Sequence, residues 1–388
     1  MTLLDHLETF TLQKLNIKDS QLGLYLRGES MANQNPDFTA YHELNRDPIA
    51  AIKANEATMI PELLAMRHQR MGQSAFTFYR GTAGLMDADF KAQSQSDIPL
   101  IICGDAHINN FGFFASPERK LLFDLNDFDE ARIGNWESDV KRLLVSVYLA
   151  GEEMGYSKKQ LKKLVKHTAK AYKNSVNNFY QNSLPQRYYS SFDINDMIDT
   201  MKRVMKDEAP QMEKALQKIL SKAHKQNSDK VIAKKTEEIE DGRRVFVEDP
   251  PRIKHVDQKT TQKIIDCYWK YQGSVRSDIR VLLASYHVED VVRYSVGVGS
   301  FGTRCFLILL TGSDDSHIVL QVKEALPTLF NQQALGRRES FNRSGVAGKR
   351  IVDAQRVMQS ASDPFLGEAA IGGRSFLLPA IPGYERKY

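Results

Sequence analysis

Gly104-Asp105-Ala106-His107-Ile108-Asn109-Asn110, followed by Phe123-Asp124-Leu125-Asn126-Asp127-Phe128-Asp129-Glu130, decides how this chain is read. The first run directly follows an apolar segment, Ile98 to Cys103, and the second overlaps another, Lys120 to Leu125, with Gly, Asn, Ser and Pro between them. That is the pattern of strand, loop and strand. Either acidic loop alone reads as Asx-rich turns that cap their own backbone. Two of them together concentrate carboxylates that repel one another unless a cation neutralises them. Magnesium suits such a set, because it takes hard oxygen ligands from one or two carboxylates and completes its shell with phosphate oxygens.

Outward from these loops, residues 1–95 read as mainly helical, with an aromatic stretch at Phe76-Thr77-Phe78-Tyr79-Arg80-Gly81 that fits strand or turn. From Trp136 to about Leu220 the period is helical, with Pro185 and Pro210 as breaks. Asn227 to Pro251 is polar and charged and ends in Pro250-Pro251, which marks it as the best linker candidate. Residues 253–285 return to helix, and Val291 to Val322 reads as strands around a glycine-rich turn. A helix over Val346 to Ser360 and a strand over Ser375 to Leu378 complete the pattern.

The turn Gly297-Val298-Gly299-Ser300-Phe301-Gly302 matches G-x-G-x-x-G. A dinucleotide fold needs a helix after such glycines. Here Thr303 to Leu310 is rich in strand formers, and a second strand, His317 to Val322, follows the turn Gly312-Ser313-Asp314-Asp315. A hairpin after the glycines is how kinases cover nucleotide phosphates, and Lys323, closing the second strand, stands where their phosphate-binding lysine does. A lysine ending a strand is otherwise ordinary edge protection. Asp353 is the one acid in the next helix, Lys349 to Arg356, and is assigned as the partner of Lys323.

Asp105 and Asn110 are five residues apart, the interval of the kinase catalytic loop, and Asp127-Phe128-Asp129 stands seventeen further on. The pattern resembles the aminoglycoside phosphotransferase and choline kinase branch of the protein-kinase-like superfamily. The resemblance implies Asp105, Asn110 and Asp127 as catalytic residues and Asn110, Asp127 and Asp129 as magnesium ligands. It also implies Gly297, Gly299, Ser300, Gly302, Lys323 and Asp353 as ATP-binding residues. Asp124 rivals Asp127 for the metal, but only Asp127 gives Asp-Phe-Asp-Glu-Ala and is followed twelve residues later by Asp139, placed where that branch braces its catalytic loop. His107 fits a loop-orienting hydrogen bond better than a metal ligand, since no second His lies at ligand spacing.

The order of the parts is unusual, because the glycine turn and lysine follow the catalytic loop by almost two hundred residues. The expected fold is therefore α+β and protein-kinase-like, with a circularly permuted order. Residues 1–285 would form a helical large lobe with loops at 104–130 and a basic insert at 157–250, and residues 286–388 a small β-rich nucleotide-binding lobe. Chain termini commonly lie close together, which makes such a permutation tolerable. The constellation also resembles a bacterial family catalogued only as a domain of unknown function. The shared motifs are Arg67 to Met71, Phe78 to Gly81, residues 104–112, residues 126–130 and Asp353 to Arg356. Members of that family usually continue past the strand at 375–378 into further helices.

The resulting expectation is an ATP- and magnesium-dependent phosphotransferase acting on a hydroxyl of a small molecule or protein. AMP transfer on the same fold and a nucleotide-binding pseudokinase scaffold are the alternatives. A metal-dependent phosphohydrolase using Asp105, His107, Asp127 and Asp129 needs more histidine ligands than the scattered nine supply. Arg80 fits either a phosphate or a carboxylate partner.

Composition bounds these readings. The 388 residues, 42% hydrophobic, suit two lobes rather than one core. The apolar runs are too short to span a bilayer, and the N-terminus lacks a signal-peptide pattern. Cys103, Cys267 and Cys305, with no CxxC, read as reduced thiols in a cytoplasmic setting. The net charge of +5 is uneven: residues 157–235 carry 18 Lys/Arg against 7 Asp/Glu. The lysines alternate with apolar positions at helical spacing, so the block reads as a solvated face, not a nucleic-acid site.

Overall fold

A computed structural model gives the fold and describes residues 47–91, 96, 98–118, 120–205, 232, 235–295, 301–327 and 347–380. The architecture is mixed α+β. Helices α1 (Pro48–Glu56), α2 (Pro61–Met71), α3 (Ala75–Arg80) and α4 (Ala83–Lys91) come first. The aromatic stretch expected as strand or turn is helix α3. Ser74 and Thr77 form a reciprocal capping box at its start, a local signal strong enough to override the strand preference of Phe and Tyr.

Strands β1 (Pro99–Ile102), β2 (Phe111–Ala115), β3 (Leu121–Leu125) and β4 (Arg132–Asn135) pair as β1 with β4 and β2 with β3, both antiparallel. Helices α5 (Trp136–Glu153), α6 (Lys158–Tyr180), α7 (Leu184–Tyr188) and α8 (Ile194–Met205) follow. Pro185 separates α6 from α7 by sitting in the first turn of α7, where its missing N–H costs nothing. The linker candidate contains a hairpin, β5 (Thr236–Glu238) with β6 (Arg244–Phe246). Phe246 is buried against Ile253, Val292 and Leu307, which ties this polar segment to the sheet.

Strand β7 (Ile253–His255), helices α9 (Gln258–Tyr271) and α10 (Ser277–Leu283), and strands β8 (Tyr286–Tyr294), β9 (Cys305–Gly312) and β10 (His317–Ala325) come next. Helix α11 (Ala347–Met358) and strands β11 (Gly367–Ile371) and β12 (Arg374–Leu378) close the described chain. One antiparallel sheet runs β11-β12-β10-β9-β8-β7. Strand β9 lies within it and is buried on both sides. Phe306, Ile308 and Leu310 pack on α9 and α10, while Leu307 and Leu309 pack toward Phe246 and Val292. That two-sided burial explains why its sequence is continuously apolar rather than alternating. Because β7 joins this sheet and α9 and α10 cover it, residues 253–283 pack with the strands beyond residue 286.

A further core positions the motifs. Ile101, Cys103, Leu125 and Phe128 from the loop-bearing strands pack with Leu143 and Val147 of α5, Ile351, Val352 and Met358 of α11, and Leu377 of β12. The segments that carry the two groups of motifs therefore share one apolar interior. The three cysteines are free and buried. Among the described residues no helix is long and apolar enough to cross a membrane.

Candidate functional site

One face of α5 shapes the loop after β1. Asp139, Arg142 and Ser146, at helical positions i, i+3 and i+7, each hold a different part of it. Asp139 accepts the backbone N–H of Cys103 at 2.7 Å and of Gly104 at 2.9 Å. Arg142 Nε donates to Asp105 Oδ1, and Ser146 Oγ accepts the N–H of Ile108 at 2.9 Å. Gly104 has φ +78°, and a Cβ there would stand 2.2 Å from the Glu130 carbonyl, so both conformation and space demand glycine.

Asn110 ties this loop to the next one. Its Oδ1 accepts from Asp127 N–H at 2.7 Å, and its Nδ2 donates to the carbonyls of Asp105 (3.0 Å) and Asp127 (2.9 Å). The amide is thus a buried clamp with both ends engaged by backbone. The rivalry between Asp124 and Asp127 is visible in where they point. Asp124 is buried and accepts from Leu125 and Ser360, at the end of α11. Asp127 and Asp129 face Lys323, whose Nζ lies 3.4 Å from Asp127 Oδ1 and 2.6 Å from Asp129 Oδ2. Lys323 shares a face of β10 with Val319, opposite the face that packs Leu320 and Val322 on α9 and α10. The strand alternation therefore aims it at the loops.

Asp105, Asp127, Asp129, Glu130, Arg80, Arg67 and Thr303 line one cleft. Asp105 Oδ2 makes no hydrogen bond among the described residues, and His107 Nε2 lies 3.8 Å from it. His107 orients the loop through its backbone, accepting from Asn110 N–H and donating to the Asp105 carbonyl, rather than through its ring. Its Nδ1 is buried without a partner, and burial holds the imidazole below its usual range. Asp129 Oδ1 is likewise buried and unpartnered. Burial and then the neighbouring Asp127 raise the Asp129 carboxyl, against the pull of Lys323. Lys323 itself is held above its ordinary value by Asp127 and Asp129, which outweigh its burial. A hard oxygen pair, one member with an unsatisfied buried oxygen, fits a divalent cation. Among the described residues no three His, Cys, Asp or Glu side chains form a larger metal cluster.

The pairing expected between Lys323 and Asp353 does not form. Asp353 accepts from Lys349 one turn earlier on α11 at 2.6 Å, a pair on the outer side of the helix. Helix α11 contributes Arg350 instead, which donates to the carbonyls of Ala131, Asp129 (2.8 Å) and Leu326 (3.0 Å) and so fixes the loop after β3. Gly297, Gly299 and Ser300 lie outside the described residues. Gly302, with φ +106°, is described: its carbonyl accepts from Ile60 N–H at 2.7 Å and its α-carbon packs on Met59. Arg67, wholly buried, holds the same turn by donating to the carbonyls of Phe301 (3.3 Å) and Gly81 (2.9 Å) and to Glu56 Oε1.

Arg142, Arg350 and Arg67 were not singled out as site residues in the sequence, yet each carried a signal. Arg67 stands between Leu63 and Met71 on an i, i+4, i+8 stripe that is buried, and Arg350 precedes Ala354 and Val357 on the apolar stripe of α11. Arg142 is three residues after the brace Asp139.

Glu130 gives a pH signature. Burial pushes its carboxyl up to about 7, opposed by Arg132 and reinforced by Asp105 and Asp129. Its folded pKa exceeds the ordinary 4.5, so its contribution to stability is complete below that value and is lost as pH rises through about 7. Glu130→Gln, which cannot ionise, is expected to gain up to ~3 kcal/mol on the wild type between about pH 4 and about pH 8 in denaturant titrations. A pH-independent difference between the two proteins would contradict this.

No curated protein and no solved structure matches the chain. A family described as "uncharacterized protein conserved in bacteria (DUF2252)" matches residues 59–385, a span that includes every cleft-lining residue named above. The loops, the strand lysine and the buried arginines thus all fall inside one family unit or at its margin, and the chain belongs to this uncharacterised bacterial family.

Proposed function

We propose that the protein is a phosphotransferase that uses ATP and magnesium, on a kinase-like fold with its small nucleotide-binding lobe placed C-terminally. The observation that carries this reading is the convergence of Lys323 with Asp127 and Asp129, 196 residues apart for the Lys323–Asp127 pair, beside the cleft-lining Asp105. Phosphoryl transfer asks for little beyond positioning and charge neutralisation. Asp127 and Asp129 would hold the magnesium ion, which when bound neutralises charge on the phosphate oxygens. Lys323 would bind the phosphates from the strand side. Asp105, held at Oδ1 by Arg142, would accept the acceptor hydroxyl's proton at Oδ2. The bond from the terminal phosphorus to ADP breaks as its bond to the acceptor oxygen forms. Asn110 serves as the clamp between the two loops, which leaves the metal to the two aspartates.

Asp127→Ala and Lys323→Ala are each expected to lower magnesium-dependent ATP consumption by roughly 100-fold or more, the scale of removing a group that stabilises the transferring phosphoryl. Wild-type turnover in either variant would overturn the assignment. Magnesium-dependent ATP binding without turnover in the wild type favours the scaffold reading, and adenylylated product in place of phosphorylated product favours AMP transfer.

A further inference from the structure

The cleft holds one guanidinium that none of its neighbours accounts for. Of the cations around it, Arg67 is committed to Glu56 and two carbonyls, and Lys323 to Asp127 and Asp129. Arg142 is committed to Asp105 and the Tyr79 carbonyl, and Arg350 to three carbonyls. Arg80 lines the same cleft and makes no hydrogen bond or ion pair among the described residues, and its Nε is buried. Burial lowers its pKa while Asp105 and Asp127 oppose that fall, which places its charge in their field. Leaving a buried arginine donor unsatisfied is costly, and the carboxylates nearest to it already have cationic partners.

The position of Arg80 is itself held. It ends α3, whose Tyr79 ring lies under Arg142 at 4.1 Å and whose next residue, Gly81, receives Arg67. A Cβ on Gly81 would come within 2.9 Å of Met71, so this backbone is pressed against α2. A planar fork of donors with no partner, lining the same cleft as Asp105 and Asp127, matches a phosphate group bound there.

We infer that Arg80 is an anion-binding residue of this cleft and takes the terminal phosphate of a magnesium-bound polyphosphate. This rests on the phosphotransferase reading for the identity of the nucleotide, but the recognition of polyphosphate stands apart from it. The test uses the full chain with magnesium tripolyphosphate, magnesium ADP and a non-hydrolysable magnesium ATP analogue, read by calorimetry on wild type, Arg80→Ala and Arg80→Lys. The wild type is expected to bind tripolyphosphate and the ATP analogue. Arg80→Ala should weaken both by roughly 10- to 100-fold while leaving ADP affinity unchanged, and Arg80→Lys should restore part of the loss. Tripolyphosphate binding that depends on Arg80, with no ATP-analogue binding, keeps this inference and removes the nucleotide reading. ATP-analogue affinity untouched in Arg80→Ala keeps the nucleotide reading and overturns this inference. Equal losses for ADP and the ATP analogue, or a wild type that binds no polyphosphate, also overturn it. Thermal unfolding of Arg80→Ala near that of the wild type shows that the effect is not loss of fold.

Discussion

Arg67→Met is expected to destabilise the protein by about 3–5 kcal/mol, the scale for removing one partner of a buried ion pair. The residue is 1% exposed and sits at the crossing of three chain segments. Its loss leaves Glu56, itself buried, with His68 Nε2 as a remaining partner at 2.8 Å. It also leaves the carbonyls of Gly81 and Phe301 without these donors. Methionine fills much of the same volume, so the effect reads the lost charge and hydrogen bonds more than a cavity. Because Arg67 fixes Phe301, the variant should also weaken the proposed nucleotide binding. Equilibrium denaturation measures the first effect. A change below about 1 kcal/mol, the level of an exposed pair, would contradict the role assigned to this arginine.

Asp139→Ala is expected to cost about 2–4 kcal/mol, because two buried N–H groups, of Cys103 and Gly104, lose their acceptor together. The same carboxylate sets the loop that carries Asp105, so whatever activity the cleft has should fall further than stability does. Burial pushes Asp139 up to about 6 against those two hydrogen bonds, so the group is largely ionised at neutral pH and mainly protonated at about pH 5. Asp139→Asn retains one acceptor and turns a donor toward the other N–H, so it should fall between wild type and alanine. An asparagine variant as unstable as alanine would show that charge, not the acceptor oxygens, does the bracing.

Much of the site was legible in the sequence because its residues fall on short, sharply punctuated loops. Asp105, Asn110, Asp127 and the brace Asp139 were all marked by their spacing, and Lys323 by its place at a strand end. The preference for Asp127 over Asp124 came from the residues around it, and Asp124 turned out to bond the end of α11. What was not legible is mostly what tertiary packing decides. The sequence does not decide whether Asp353 pairs with Lys349 or with Lys323, since an i, i+4 helical pair and a helix-to-strand pair draw on the same carboxylate. The aromatic stretch at 76–81 became a helix because a two-residue cap outweighed side-chain propensity. Strands β4 and β11 are short and partly polar and β2 is short and interrupted by Gly112, so their period is too brief to register. The burial of Arg67, Arg142 and Arg350 is set by backbone carbonyls and carboxylates that only the fold brings to them. Their positions on apolar helical stripes are the feature that marks them.

The central claim is that the space between the strand lysine and the two loop aspartates receives the phosphates of a nucleotide. A crystal structure with magnesium and a non-hydrolysable ATP analogue tests it most directly. The account predicts a triphosphate lying between Lys323 and the Asp127–Asp129 pair, with its terminal phosphate toward Arg80 and Asp105. A nucleotide bound elsewhere on the chain, or a cleft in which Lys323 remains locked to both aspartates at saturating nucleotide, would contradict it.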